Sequence, residues 1–208
     1  MYGKCVKRIL DIVLSLLSIV ILSPIFIVLS IMVGINMGFP IFFRQKRVGR
    51  DERVFVMYKF RTMSNRKDKN GNLLPDEERV TKLGKFLRGT SLDELPELFN
   101  ILIGDISIIG PRPLLVEYLP YYTDYERQRH KVRGGLTVPE VLYDNITPTW
   151  EEQFRYEVEY ANNISFRLDL KILFKTVTGI LKRKNVDYGS YVRLPLTEER
   201  KGRANNGK

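Results

Sequence analysis

From Ile12 to Ile35 the chain runs for 24 residues without a formal charge, most of them Ile, Leu and Val. A helix of that length, at about 1.5 Å per residue, reaches across a hydrocarbon core of about 30 Å. Ser23-Pro24 interrupts the run near its middle. Proline removes a backbone donor and crowds the carbonyl four residues back, so the helix is expected to bend there. The serine before it can help satisfy the freed backbone. Basic residues flank both ends: Lys4, Lys7 and Arg8 before, Arg44, Lys46, Arg47 and Arg50 after. Two readings stand, a transmembrane helix and a re-entrant helix that enters and leaves on the same side. The positive-inside rule favours cytoplasmic flanks. The run is too long for a cleaved signal peptide, and no small-x-small cleavage site follows it. Asp11 lies three residues after Arg8, at helical spacing for an ion pair.

Beyond the run the periodicity changes. Ile41 to Phe43 and Arg53 to Phe60 are rich in β-branched and aromatic residues and predict short strands. Ser64 to Pro75 is polar and predicts a solvated loop. Asp76 to Arg88 predicts a helix with Val80, Leu83 and Leu87 on one face. A second helix is predicted to begin near residues 91 to 94, because Pro96 is comfortable only in a first turn. Ile106 to Ile109 predicts a buried strand ending at Gly110-Pro111-Arg112-Pro113. Thr149 to Tyr160 opens on a capping box, Thr149 and Glu152. Leu168 to Leu181 repeats apolar residues at 170, 173, 174, 177 and 181, an amphipathic helix ending in Lys182-Arg183-Lys184. From Arg193 onward the chain is polar and is expected to be disordered.

Composition narrows the chemistry. Lys and Arg outnumber Asp and Glu by 34 to 24 in 208 residues, a net charge of +10 that points to anionic partners. One cysteine, Cys5, excludes an intramolecular disulfide framework and a cysteine-based zinc site. One histidine, His130, leaves no histidine cluster. No Walker glycine loop is present. Chemistry then falls to carboxylates, Lys, Arg, hydroxyls and a hard metal.

Asp93 and Glu94 are the carboxylates that stand out, both at the positive end of the predicted second helix. Ser91 and Glu94 also fit a capping box, which by itself explains acids at that place. Cations surround them in the sequence. Lys59 and Arg61 alternate along a predicted strand and should share a face. Arg88 precedes the acidic pair, and Arg112 is held between two prolines. Arginine suits bidentate phosphate binding. Together these residues are what diphosphate chemistry needs.

The strings Tyr58-Lys59-Phe60-Arg61-Thr62-Met63, Leu83-Gly84-Lys85-Phe86-Leu87-Arg88, Ser91-Leu92-Asp93-Glu94-Leu95-Pro96, Gly104-Asp105-Ile106-Ser107 and Gly110-Pro111-Arg112-Pro113 resemble the bacterial sugar transferase family, the monotopic phosphoglycosyl transferases. The resemblance extends from Lys7-Arg8-x-x-Asp11 and Ser23-Pro24 to Asp169-Leu-Lys-Ile. It implies an α+β membrane-associated fold: a re-entrant membrane helix broken at Ser23 and Pro24 in residues 1–40, and a helix-rich catalytic domain with a small β-sheet and interfacial amphipathic helices in 41–190. Residues 191–208 remain a polar tail. It implies Asp93 as nucleophile, Glu94 as its dyad partner, and Mg²⁺ at the dyad. The implied reaction passes a sugar 1-phosphate from a nucleotide sugar, usually UDP-linked, to polyprenyl phosphate, on the cytoplasmic face of the bacterial inner membrane and in contact with phospholipid. It implies UMP release and an aspartyl-phosphosugar intermediate. Lys59, Arg61, Arg88 and Arg112 are the candidate phosphate ligands. Nucleic acid is not expected as a partner, and no pattern speaks to oligomeric state.

The chain also departs from the family. After Lys131-Val132-Arg133 the usual Pro-Gly-Ile-Thr-Gly-Trp-Ala-Gln-Val-Asn-Gly-Arg is replaced by the residues from Gly134 to Asn145. Glu157 stands where Asp is usual, and Glu97 where Gln is frequent. The altered 134–145 segment is expected to read the donor. The alternative reading is a non-catalytic membrane-bound adaptor with a basic surface.

Overall fold

A computed structural model describes residues 2–143, 148–182 and 193–205. The fold is helix-rich and mixed, with two small two-stranded sheets and one long apolar N-terminal helix. That helix, α1, covers Lys7–Met37. It continues through Pro24, and the local device anticipated there is present. Pro24 leaves the Val20 carbonyl without its usual amide donor, and Ser23 Oγ donates to that carbonyl at 2.8 Å.

The described residues divide into two compact units. One takes in residues 12–45 and 56–103. Here Phe26, Leu29 and Val33, spaced along one face of α1, are buried. Phe26 packs edgewise on Phe99 and tilted on Phe60, with ring centroids 5.6 and 5.7 Å apart. This unit holds residues 42–45 of β1 (Phe42–Val48) and 56–60 of β2 (Val54–Phe60), which pair with each other, β1 reaching five residues beyond the expected Phe43. The single helix expected over 76–88 is two. α2 (Asp76–Arg79) ends where Val80 bridges Met63, and α3 (Lys82–Thr90) starts afresh on Thr81, whose Oγ1 accepts from Gly84 N at 3.0 Å. A 3₁₀ turn, Leu92–Glu94, leads into α4 (Glu97–Ile103).

The other unit takes in residues 1–11, 46–55 and 104–208 so far as they are described. β3 (Ile106–Ile109) lies where expected and pairs in parallel with β4 (Gly134–Thr137), in register Ile106 to Gly134 and Ile109 to Thr137. The approach is close: a Cβ on Gly135 would lie 2.0 Å from Gly110 N. α5 (Asp124–Arg127) is one turn, with a capping box from Thr123 and Glu126. α6 (Trp150–Asn162) starts on the anticipated box of Thr149 and Glu152. α7 (Phe166–Lys182) buries Ile172 beside Ile109 and Tyr160. Of its predicted apolar stripe, Leu173 packs against that cluster, while Leu170, Phe174 and Val177 are exposed.

Part of the tail expected to be disordered is helical. α8 (Leu196–Asn205) buries Leu196 among Trp150, Phe154 and Tyr118. Arg193 stacks over Trp150 at 3.5 Å, and Arg200 pairs with Glu126 at 2.5 Å. One leucine and two arginines with distant partners are invisible to a local composition test. Residues 191–192 and 206–208, the Asp144 to Thr147 part of the altered segment and loop, and Arg183-Lys184 lie outside the described residues.

Candidate active site

Ser91 has φ 57°, the left-handed conformation that ends α3, and its side chain does not cap the turn that follows. The capping-box explanation for Glu94 therefore fails. Glu94 instead accepts from Lys59, with Nζ to Oε1 at 2.6 Å. Lys59 also reaches Glu97 Oε1 at 3.1 Å. Glu97, the first residue of α4, is buried and is a member of the cluster that sequence reasoning marked only as a departure. Its position three residues beyond Glu94, across the turn into α4, was the available signal.

The arrangement is built by two backbone devices. Asn100 on α4 is fully buried and substitutes for a neighbouring strand along β2. Its Oδ1 accepts from Tyr58 N at 3.1 Å, and its Nδ2 donates to the Val56 carbonyl at 2.8 Å. This fixes Lys59, the next residue, against the acidic turn. Gly84 permits the second device. A Cβ there would lie 1.9 Å from the Thr62 carbonyl oxygen, so only glycine lets α3 approach the end of β2. Arg88, one turn further along α3, then donates from Nε to Thr62 Oγ1 at 2.9 Å. Gly84→Ala is expected to destabilise the fold by about 1–3 kcal/mol through overpacking against backbone. It should also cut turnover by displacing Arg88. Thermal unfolding and initial rates of the variant check both effects.

Burial raises the Asp93 pKa above the ordinary carboxylate range, and the Glu94 charge raises it further. Lys59 and Arg88 oppose both. Burial works against the Lys59 ammonium, but the charges of Glu97 and Glu94 outweigh it and hold Lys59 above the usual lysine range. Asp93 is thus a half-buried carboxylate that sheds its proton reluctantly, within the field of two cations.

The other expected phosphate ligands are placed differently. Arg61 is buried, and its guanidinium donates to the carbonyls of Pro40, Gly38 and Met37 at 2.9, 3.1 and 3.2 Å. It clasps the C-terminal end of α1, where unpaired carbonyls and the helix dipole favour a cation. The structure therefore brings Lys59 to the dyad and gives Arg61 to the helix end. Arg112 belongs to the other unit and is exposed between buried Pro111 and Pro113. His130 is buried with Nδ1 3.1 Å from the Gly49 carbonyl oxygen. Burial, then Arg129, pushes its pKa down to about 4, so it stays neutral and structural. Among the described residues no group of three or more His, Cys, Asp or Glu side chains is arranged to hold a metal ion.

Comparison with known proteins bears on this site. The family model described as bacterial sugar transferase matches residues 2–183. The chain is 42% identical over 186 residues to the uncharacterized sugar transferase EpsL of Bacillus subtilis (strain 168), covering 89% of this chain and 92% of that protein. It is 39% identical to a UDP-glucose:undecaprenyl-phosphate glucose-1-phosphate transferase of Klebsiella pneumoniae, covering 82% of this chain and 39% of that protein. It is 33% identical to a UDP-N-acetylgalactosamine-undecaprenyl-phosphate N-acetylgalactosaminephosphotransferase of Aeromonas hydrophila, covering 85% of this chain and 44% of that protein. The chain thus matches nearly all of EpsL and about two fifths of the other two relatives.

Proposed function

Because the chain belongs to the bacterial sugar transferase family and is a phosphoglycosyl transferase, we propose that it transfers a sugar 1-phosphate from a UDP-sugar to a polyprenyl phosphate, releasing UMP. The observation that carries this reading is the turn Leu92–Glu94, which sets Asp93 beside Glu94 and within the fields of Lys59 and Arg88. One Asp93 carboxylate oxygen attacks the phosphorus that bears the sugar. The bond from that phosphorus to the bridging oxygen breaks, and UMP leaves with the electron pair. The aspartyl phosphosugar then yields its phosphorus to an oxygen of the polyprenyl phosphate, restoring the carboxylate and forming a lipid diphosphate sugar. Covalent catalysis divides one hard transfer into two. Lys59 and Arg88 neutralise phosphate oxygens beside the dyad, with Lys59 already oriented by Glu94 and Glu97; in the other unit, Arg112 is read on its own as a ligand for a substrate phosphate.

Mg²⁺ suits this donor set, because that ion is commonly held by one or two carboxylates together with substrate phosphates. Asp93 and Glu94 would hold it, and when bound it supplies further neutralisation of the diphosphate.

The enzyme works at the cytoplasmic face of the bacterial inner membrane in this reading, with α1 as a re-entrant hairpin. Only 11% of the most apolar stretch of α1 is buried, and its exposed side chains include Val20, Ile21, Ile27 and Ile31. Basic flanks at both ends favour keeping both on the cytoplasmic side. Pro24 with its Ser23 bond supplies the place to bend. The outward stripe of α7, flanked by Arg167, Lys171 and Lys175, suits the headgroup region, where a polyprenyl phosphate presents its phosphate.

The test is UMP release from a panel of UDP-sugars by the full chain in nanodiscs, with Mg²⁺ and polyprenyl phosphate. Its pH dependence carries further information. Asp93 must be ionised to attack and its pKa is raised, so kcat/KM should fall on acidification at a pH above the usual carboxylate range. Lys59 holds that pKa down, so Lys59→Met should move the acid limb to higher pH. Glu94 pushes it up, so Glu94→Gln should move the limb to lower pH. Limbs that stay in place in both variants would detach the profile from Asp93. No release with any donor would count against the reaction itself.

A further inference from the structure

The peptide of Arg112 is gripped on both sides by one buried ion pair. Glu157 Oε1 accepts from Arg112 N at 3.0 Å. Glu157 Oε2 accepts from Arg129 Nε at 2.6 Å, and Arg129 Nη2 donates to the Arg112 carbonyl at 2.5 Å. The loop closes through one amino acid, with its N–H on the anion and its C=O on the cation. Both charged side chains are out of solvent, at 1% exposure for Arg129 and 0% for Glu157. Gln153 Nε2 donates to the same Glu157 oxygen at 3.0 Å. The neighbouring backbone is tied as well, Gly110 N to the Thr137 carbonyl and Gly135 N to the Pro111 carbonyl. The Arg112 guanidinium is left exposed at the end of a rigid support.

A second carboxyl joins this cluster. Glu140, on the 3₁₀ turn Pro139–Leu142, lies against Glu157 with one oxygen buried and without a hydrogen-bond partner. Burial, then the Glu157 charge, pushes its pKa well above the ordinary carboxylate range. Glu140 lies in the 134–145 segment and Glu157 is the other of these two positions that the resemblance marks as a departure. The fold joins them, so at Glu140 the altered segment faces the interior.

We propose that Glu157 and Arg129, with Glu140 packed on them, are positioning residues that hold Arg112 ready for a substrate phosphate. The proposal rests on the reading of Arg112 as a phosphate ligand. An ion pair this deeply buried costs much of its attraction in desolvation, so replacing it by apolar groups could leave the fold intact while freeing the Arg112 peptide. Its specific yield is geometry, and a displacement of about 1 Å at such a site can cost on the order of a hundredfold in rate.

The experiment is a double-mutant cycle on UMP release by the full chain in nanodiscs, using wild type, Glu157→Gln, Arg112→Ala and the double variant, with thermal unfolding recorded for each. Arg112→Ala is expected to lose about a hundredfold in kcat/KM, and Glu157→Gln about tenfold or more, chiefly through KM for the donor. In the Arg112→Ala background Glu157→Gln should change kcat/KM by less than about threefold, because its effect passes through Arg112. Should Glu157→Gln not fold, Glu157→Asp keeps the charge, draws the carboxylate back by about one bond length and is held to the same non-additivity. Losses that multiply fully in the double variant would overturn the positioning role while leaving Arg112 as a ligand. An Arg112→Ala variant with unchanged kcat/KM would overturn the ligand reading itself.

Discussion

Replacing Asp93 by asparagine is expected to abolish UMP release, by at least about a thousandfold, while leaving the protein at least as stable as the wild type. The stability half follows from the sign of the shift. A carboxylate whose folded pKa lies above its unfolded value opposes folding once the pH exceeds the unfolded pKa, because the folded state then holds a charge it disfavours. Burial and Glu94 raise Asp93 in this way. Asparagine keeps the shape and removes that charge, so the melting temperature should hold or rise. Stability sacrificed for a reactive group is common in active sites. Melting curves and UMP release on one preparation check both halves. A variant that unfolds would make Asp93 structural, and one that turns over normally would remove it as nucleophile.

Asp169→Ala is expected to lower stability by about 3–5 kcal/mol, the range for stripping a buried charge of its partner. Asp169 is buried and collects three donors at 2.6 Å each: Tyr2 OH and Lys7 Nζ on Oδ2, and Tyr160 OH on Oδ1. Alanine leaves the buried Lys7 ammonium without that carboxylate and takes an acceptor from both phenols, of which Tyr160 keeps the Ile109 carbonyl at 3.2 Å. For a chain of this size the loss corresponds to a fall of roughly 10 °C in melting temperature. The damage reaches the start of α1, because Lys7 is its first residue. Asp11, one turn later, is held by Ser107 Oγ and Ile108 N, both at 3.0 Å, and this attachment remains in the variant. Thermal unfolding in detergent reads the effect directly, and an unchanged midpoint would show that the Lys7–Asp169 pair is energetically neutral.

Legibility followed the range of the interactions. The Thr149 and Glu152 box, the β3 strand and the Ser23 bond to Val20 were readable because each partner lies within four residues or in one apolar stretch. The break at Val80 was missed because Val80, Leu83 and Leu87 satisfy a helical period, while the bridge from Val80 to Met63 does not show in it. β4 was missed because Gly134-Gly135 has little strand propensity; its pairing with β3 depends on the close approach that glycine permits. α8 was missed because Leu196 is one apolar residue in a polar stretch, and the aromatic cluster that buries it comes from elsewhere in the chain.

The amino-acid sequence by itself determined the apolar run and the Ser23 bond within it, the adjacent acids at 93 and 94, and the Thr149 cap, because these need only neighbours along the backbone. Tertiary structure decided which cations meet those acids. Lys59 and Arg61 are two residues apart and chemically alike, yet Lys59 reaches Glu94 across 35 positions and Arg61 closes the end of α1. It also decided that Glu97 joins the cluster, that Gly84 clears the Thr62 carbonyl for Arg88, and that Glu157 holds Arg112 across 45 positions. Contacts over such distances depend on which elements pack together, and that packing follows from burying the whole set of apolar faces at once.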